Sequence, residues 1–111
     1  DLARFSGVVD RTPGMIDRLF TKAEQIGVEG QQLPLVSLAG RFAIKEAVAK
    51  ALGAPVGMAW HDCEVSNGGP PRISVSGSVA KVAQEQGVTN WHVSLSHDGP
   101  VAIAYVIAEK V

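Results

Sequence analysis

The stretch from Leu35 or Ser37 to Leu52 reads as one long, alanine-rich helix, and no other feature constrains the fold of this chain as much. Leu38, Phe42, Ile44, Val48, Ala51 and Leu52 cover much of its surface, and the alanines at 39, 43, 47, 49 and 51 let other elements approach closely. Gly53 suits the residue just past a helix end, and Ala54-Pro55 prevents continuation. A helix apolar on more than one side is central rather than peripheral. It also carries Glu46 and Lys50, four residues apart and therefore on one face. A carboxylate there suits a hard cation such as magnesium, which takes one or two protein carboxylates plus substrate phosphates. The same pair also reads as a solvated surface salt bridge worth ~0.2–0.5 kcal/mol.

The elements around this helix follow from local signals. Thr12-Pro13-Gly14 predicts a helix start, with Met15, Ile16, Leu19 and Phe20 as its apolar stripe. Thr21-Lys22-Ala23-Glu24 is a capping-box pattern for a second short helix that Gly27 ends, and Gly27 to Pro34 reads as loop. Beyond the central helix the period changes to two. Cys63 to Ser66 and Arg72 to Ser76 read as strands joined by Asn67-Gly68-Gly69-Pro70-Pro71. Ser78 caps a helix running to Gln86, with Val79, Val82 and Ala83 facing the core and Gly87 as its stop. Trp91 to Ser96 alternates as a strand, Asp98-Gly99-Pro100 turns, and Val101 to Ile107 is apolar enough to be covered on both faces. The expected fold is α+β, with an antiparallel sheet on the long central helix and a single core within one domain, 1–111.

Ten basic and eleven acidic residues give a net charge of −1, so the totals point to neither nucleic acid nor an anionic membrane as partner. An apolar fraction of 46% is ordinary for a globular protein, and no run approaches a membrane span. The single cysteine, Cys63, fits a reducing compartment, with the cytoplasm as default, and reads as a small buried hydrophobe. The first residue is Asp1, and apolar residues run directly into Arg4 and Phe5, as though the chain starts inside an element begun earlier.

His97 stands at the end of an alternating strand beside Asp98, a place that suits phosphate or acid–base work as well as a hydrogen bond to its own turn. His92 lies five residues earlier and so on the opposite strand face. His61 has no neighbour at metal-ligand spacing. The glycine-proline turn lacks the lysine and the strand-to-helix setting of a phosphate loop, and instead lets backbone approach a flat ligand. Arg41 lies roughly 140° around the helix from Glu46, so it grips a different part of a long substrate or is an ordinary surface arginine.

Three segments together, Gly40 to Ala51 with its Lys45-Glu46-Ala47 and Lys50, Asn67 to Pro71, and His92 to Asp98, resemble the holo-acyl-carrier-protein synthases, small bacterial 4′-phosphopantetheinyl transferases. Leu19 to Glu24 extends the likeness. The resemblance implies magnesium-dependent transfer of the phosphopantetheine arm of coenzyme A to a serine of an apo acyl carrier protein, releasing adenosine 3′,5′-bisphosphate. It puts Glu46 at a metal-ligand position and Lys50 at the pyrophosphate, with metal-bound water, Glu46 and Lys50 all eligible to take the serine proton. Arg41 and His97 fall near the adenosine phosphates, with Ser94, Ser96 and the Gly69-Pro70-Pro71 backbone lining the nucleotide pocket. The family's other metal carboxylate sits on a first strand, six residues before an arginine that aligns with Arg4, and so ahead of Asp1. Gln32-Leu33 stands where some relatives have basic residues, which implies differently arranged coenzyme A contacts. The resemblance further implies a homotrimer with pockets between subunits, and a carrier docked on basic residues, for which Arg11, Arg18 and Lys22 are available. A non-catalytic coenzyme A-binding module and the transferase domain of a multifunctional fatty acid synthase are the alternative readings.

Overall fold

A computed structural model describes residues 1–66 and 68–110. Helix α1 (Leu2–Arg11) opens the chain, where the sequence signalled no helix. Asp1 caps it by accepting from the Arg4 amide at 3.1 Å, and Leu2, Phe5 and Val9 recur at helical spacing, with Phe5 buried. Thr12 closes α1 instead of opening the next helix, its amide donating to Val8 O. Gly14, at φ 77°, is the residue that starts α2 (Met15–Leu19), a conformation that favours glycine. The capping box of α3 (Lys22–Gln25) forms as expected, with both Thr21 and Glu24 bonds present.

Helix α4 (Leu35–Ala51) ends as its sequence predicts, with Gly53 left-handed just beyond. The expected single core is in fact two buried clusters that divide α4 between them. Around its first half, Leu38 packs with Phe5, Leu19 and Phe20, and the rings of Phe5, Phe20, Phe42 and Trp60 meet at centroid distances of 5.3–6.5 Å. Around its second half, Ile44, Val48 and Leu52 pack with Cys63, Val65, Val79 and Ala83.

The antiparallel strands form two separate hairpins. β1 (Cys63–Val65) pairs with β2 (Ile73–Val75), and β3 (Val88–Asp98) pairs with β4 (Val101–Lys110). Asn67, expected in the first hairpin's turn, lies outside the described residues. Helix α5 (Gly77–Glu85) starts two residues earlier than a Ser78 cap would place it, because its cap comes from elsewhere. Asp62, in the 3-10 turn Trp60–Asp62, accepts from the Ser78 amide at 2.8 Å and the Ser78 hydroxyl at 2.7 Å, so Ser78 is a client of that cap. A Cβ on Gly77 would fall 2.5 Å from Asp62 Oδ2, so only glycine fits this junction.

The second hairpin has unlike faces. Trp91, Val93 and Leu95 of β3 turn inward with Ala104 and Val106, while Ser94 and Ser96 turn outward, paired in register with Tyr105 and Ile103. Val101, Ile103, Tyr105 and Ile107 are all exposed, Tyr105 by 68%. The expectation that β4 is covered on both faces therefore fails within one chain, and an apolar stripe is left facing out.

Candidate active site

Helix α4 and the β3–β4 turn are brought together by a missing side chain. A Cβ on Gly40 would meet Leu95 Cδ2 at 3.1 Å and His97 Cε1 at 3.5 Å, so glycine is what lets β3 lie against α4 here. The Leu2 amide donates to Pro100 O at 2.8 Å and fastens the start of α1 to the same turn. Between α1, α2, α4 and this turn lies a cleft of about 360 Å3. Its walls are largely apolar, with Phe5, Met15, Leu19 and Phe42, and its polar groups are Glu46, His97, Arg4 and Asp1. A mostly apolar cleft with a few convergent polar groups is the usual form of a small-molecule site.

Of the residues expected at the site, Glu46 and His97 face this one cleft. Lys50, one turn further along α4, is exposed and outside its lining, and the salt-bridge alternative for the Glu46–Lys50 pair is not realised: among the described residues no cation lies within 4.0 Å of the Glu46 carboxylate. The Arg41 guanidinium is half-buried and donates to Ser37 O and to Ser66 O, each at 3.4 Å, tying the end of β1 to α4. Burial lowers its pKa, opposed by the nearby charge of Glu24. Gly69 and Pro70 are exposed in the first hairpin's turn, and Pro71 lines a separate, open groove with Arg72, Trp91 and His92. Ser94 and Ser96 lie on the outer face of the second hairpin. Strand parity separates His92, exposed and 3.6 Å from Glu109, from His97, as the alternation required. The expected set is thus split, within one chain, between the cleft and surfaces that face away from it.

Three side chains were given no place in the site from the sequence. Asp1 and Arg4 enter the cleft from a helix that carried no recognised start signal. Lys45 is fully buried and paired with Glu24 at 2.7 Å. Its signal was present, since Leu38, Phe42, Lys45, Ala49 and Leu52 follow a four-then-three spacing that runs along one helix face. Cys63 is buried as expected, and burial pushes its thiol up to about 11, which leaves it unreactive at neutral pH.

The family model for the 4′-phosphopantetheinyl transferase superfamily matches residues 1–106, and the chain belongs to that superfamily. Its relatives within it include the holo-[acyl-carrier-protein] synthase of Salinispora arenicola, 54% identical over 109 residues that cover 96% of this chain and 89% of the relative. The corresponding protein of Streptomyces coelicolor is 51% identical over 111 residues, covering 98% and 90%. Among solved structures, the holo-[acyl-carrier-protein] synthase of Neisseria meningitidis superposes with a TM-score of 0.83 at 27% identity, covering 98% of this chain and 91% of that one. That of Helicobacter pylori, in complex with coenzyme A, gives 0.78 at 27% identity, covering 97% and 93%.

Proposed function

We propose that this chain is a holo-acyl-carrier-protein synthase, which moves the 4′-phosphopantetheine arm of coenzyme A onto a serine of an apo acyl carrier protein. The serine oxygen forms a bond to the arm's phosphorus, the pyrophosphate bond breaks, and adenosine 3′,5′-bisphosphate leaves with the bridging oxygen. The observation that carries this reading is the near-full-length likeness to holo-[acyl-carrier-protein] synthases together with a cleft that Glu46 and His97 share. Glu46 suits magnesium because its carboxylate is exposed and, among the described residues, has no ion-pair partner, and an ion that keeps several waters needs only one or two such ligands beside substrate phosphates. Among the described residues no group of three or more His, Cys, Asp or Glu is gathered as a softer metal would need. Bound there, magnesium supplies neutralisation of the charge that builds on the pyrophosphate.

Lys50, one turn from Glu46, is assigned to the pyrophosphate, and the acceptor of the serine proton is Glu46, Lys50 in its neutral form, or water. His97 and Arg41 are assigned to the adenosine phosphates, with Ser94, Ser96, Gly69, Pro70 and Pro71 lining the nucleotide pocket. These last residues do not reach the cleft within one chain, which favours a pocket completed between subunits. The exposed stripe Val101, Ile103, Tyr105 and Ile107 runs beside Ser94 and Ser96, and the proposed homotrimer would cover it. Arg11, Arg18 and Lys22 are exposed, and we assign them to the acidic carrier protein. No helix among the described residues is long and apolar enough to cross a membrane. We read the chain as one catalytic unit working in the cytoplasm, where a lone thiol stays reduced.

Incubation with apo carrier protein, coenzyme A and magnesium, followed by intact-protein mass spectrometry, tests the proposal. A carrier that gains the mass of phosphopantetheine supports it. A carrier unchanged while calorimetry shows coenzyme A binding overturns it in favour of a binding module.

A further inference from the structure

We propose that the buried Lys45–Glu24 pair is a positioning device for the cleft, setting the separation of α2 from α4 and the rotation of α4 that presents Glu46. The inference rests on the reading of Glu46 and the cleft given above. Lys45 is 0% and Glu24 1% exposed. An ammonium has three protons to donate, and Lys45 Nζ gives them to Glu24 Oε1 at 2.7 Å, Leu19 O at 2.8 Å and Trp60 O at 2.9 Å. Glu24 Oε1 also accepts from the Thr21 amide, and Glu24 Oε2 from the Val65 amide, each at 2.9 Å. The pair thereby ties α4 to the end of α2, the cap of α3, the 3-10 turn and β1.

Stability alone is a weak reason for such a network, because a well-packed hydrophobic pair of similar volume does as well or better. What the ion pair adds is direction. Apolar contact is indifferent to small slips, whereas five hydrogen bonds are satisfied together in one arrangement only. The places it holds are the cleft's own walls. Leu19, whose carbonyl Lys45 grips, lines one side, and Phe42, Ala43 and Glu46 line the other. Residues 45 and 46 point about 100° apart around the helix, so drawing Lys45 into the core turns Glu46 toward the cleft.

The test is the full-length double variant Lys45→Met/Glu24→Gln, which leaves no buried charge unpaired. Thermal unfolding, Mn2+ affinity in the presence of coenzyme A by water-proton relaxation, and kcat and KM are read together. We expect Tm within about 8 °C of the parent, Mn2+ affinity and kcat each lower by about tenfold or more, and an unchanged KM for the carrier protein. In a Glu46→Gln background the same double change should cost little more, since both act through one carboxylate. Parental Mn2+ affinity and kcat, a larger fall in Tm, or full additivity with Glu46→Gln would each overturn the inference. A parental result for Glu46→Gln by itself would instead strike the reading of Glu46, so the two failures are distinguishable.

Discussion

Around Lys45 the protein answers every charge internally, whereas one residue later, in the cleft, Glu46 is exposed with no cation within 4.0 Å among the described residues. Both regions are built on the same helix, and both border Leu19, whose carbonyl faces Lys45 and which also lines the cleft. The difference teaches where to look for chemistry. A buried pair with all its partners in place is a fixed part of the fold, while an exposed, unpaired carboxylate on an apolar wall has its bonding capacity free for a ligand.

The largest effect should come from breaking the buried side. Lys45→Ala strands the Glu24 carboxylate without its cation, and chemical denaturation should show a loss of about 3–5 kcal/mol. If stability is unchanged, the contrast between the two regions collapses. Glu46→Gln probes the other side, and should cost about 10²–10³ in kcat while leaving stability within about 0.5 kcal/mol of the parent. Gly40→Ala tests the joint between helix and hairpin. The new methyl meets Leu95 at 3.1 Å and His97 at 3.5 Å, and should destabilise by about 1–3 kcal/mol and displace His97. The smallest effect concerns acid. Hydrogen bonds from Ser78 hold the Asp62 carboxyl below its ordinary pKa. Its contribution is therefore present above the unfolded-state pKa and fades as pH falls through the lower folded value. In an acid titration followed by circular dichroism, Asp62→Asn should flatten that part of the curve, since an amide still accepts from Ser78 but does not titrate.

Much of the architecture was legible because its signals are local. The α3 capping box, the end of α4 at Gly53 and the alternation of β3 all stand where nearest-neighbour chemistry put them. Thr12 was misread because a capping residue before proline can close one helix as well as open another, and the left-handed Gly14 does the opening. Ser78 was misread for a related reason: the carboxylate that caps α5 belongs to Asp62, distant in sequence. The site was legible in part. Glu46 and His97 share a cleft, while Ser94 and Ser96 face the other way because strand parity allows one face or the other and never both.

By itself, the amino-acid order determined the long alanine-rich helix, the pairing of strands into hairpins and the family resemblance, since each depends on spacing within a few residues. Tertiary structure alone decided which groups meet the charge of the buried Lys45, that Arg41 reaches Ser66, and that one face of β4 stays open. The physical reason is that burial and charge pairing are set by what other segments bring to a residue: Leu19, Glu24 and Trp60 converge on Lys45 from far along the chain, and no local pattern around position 45 records their arrival.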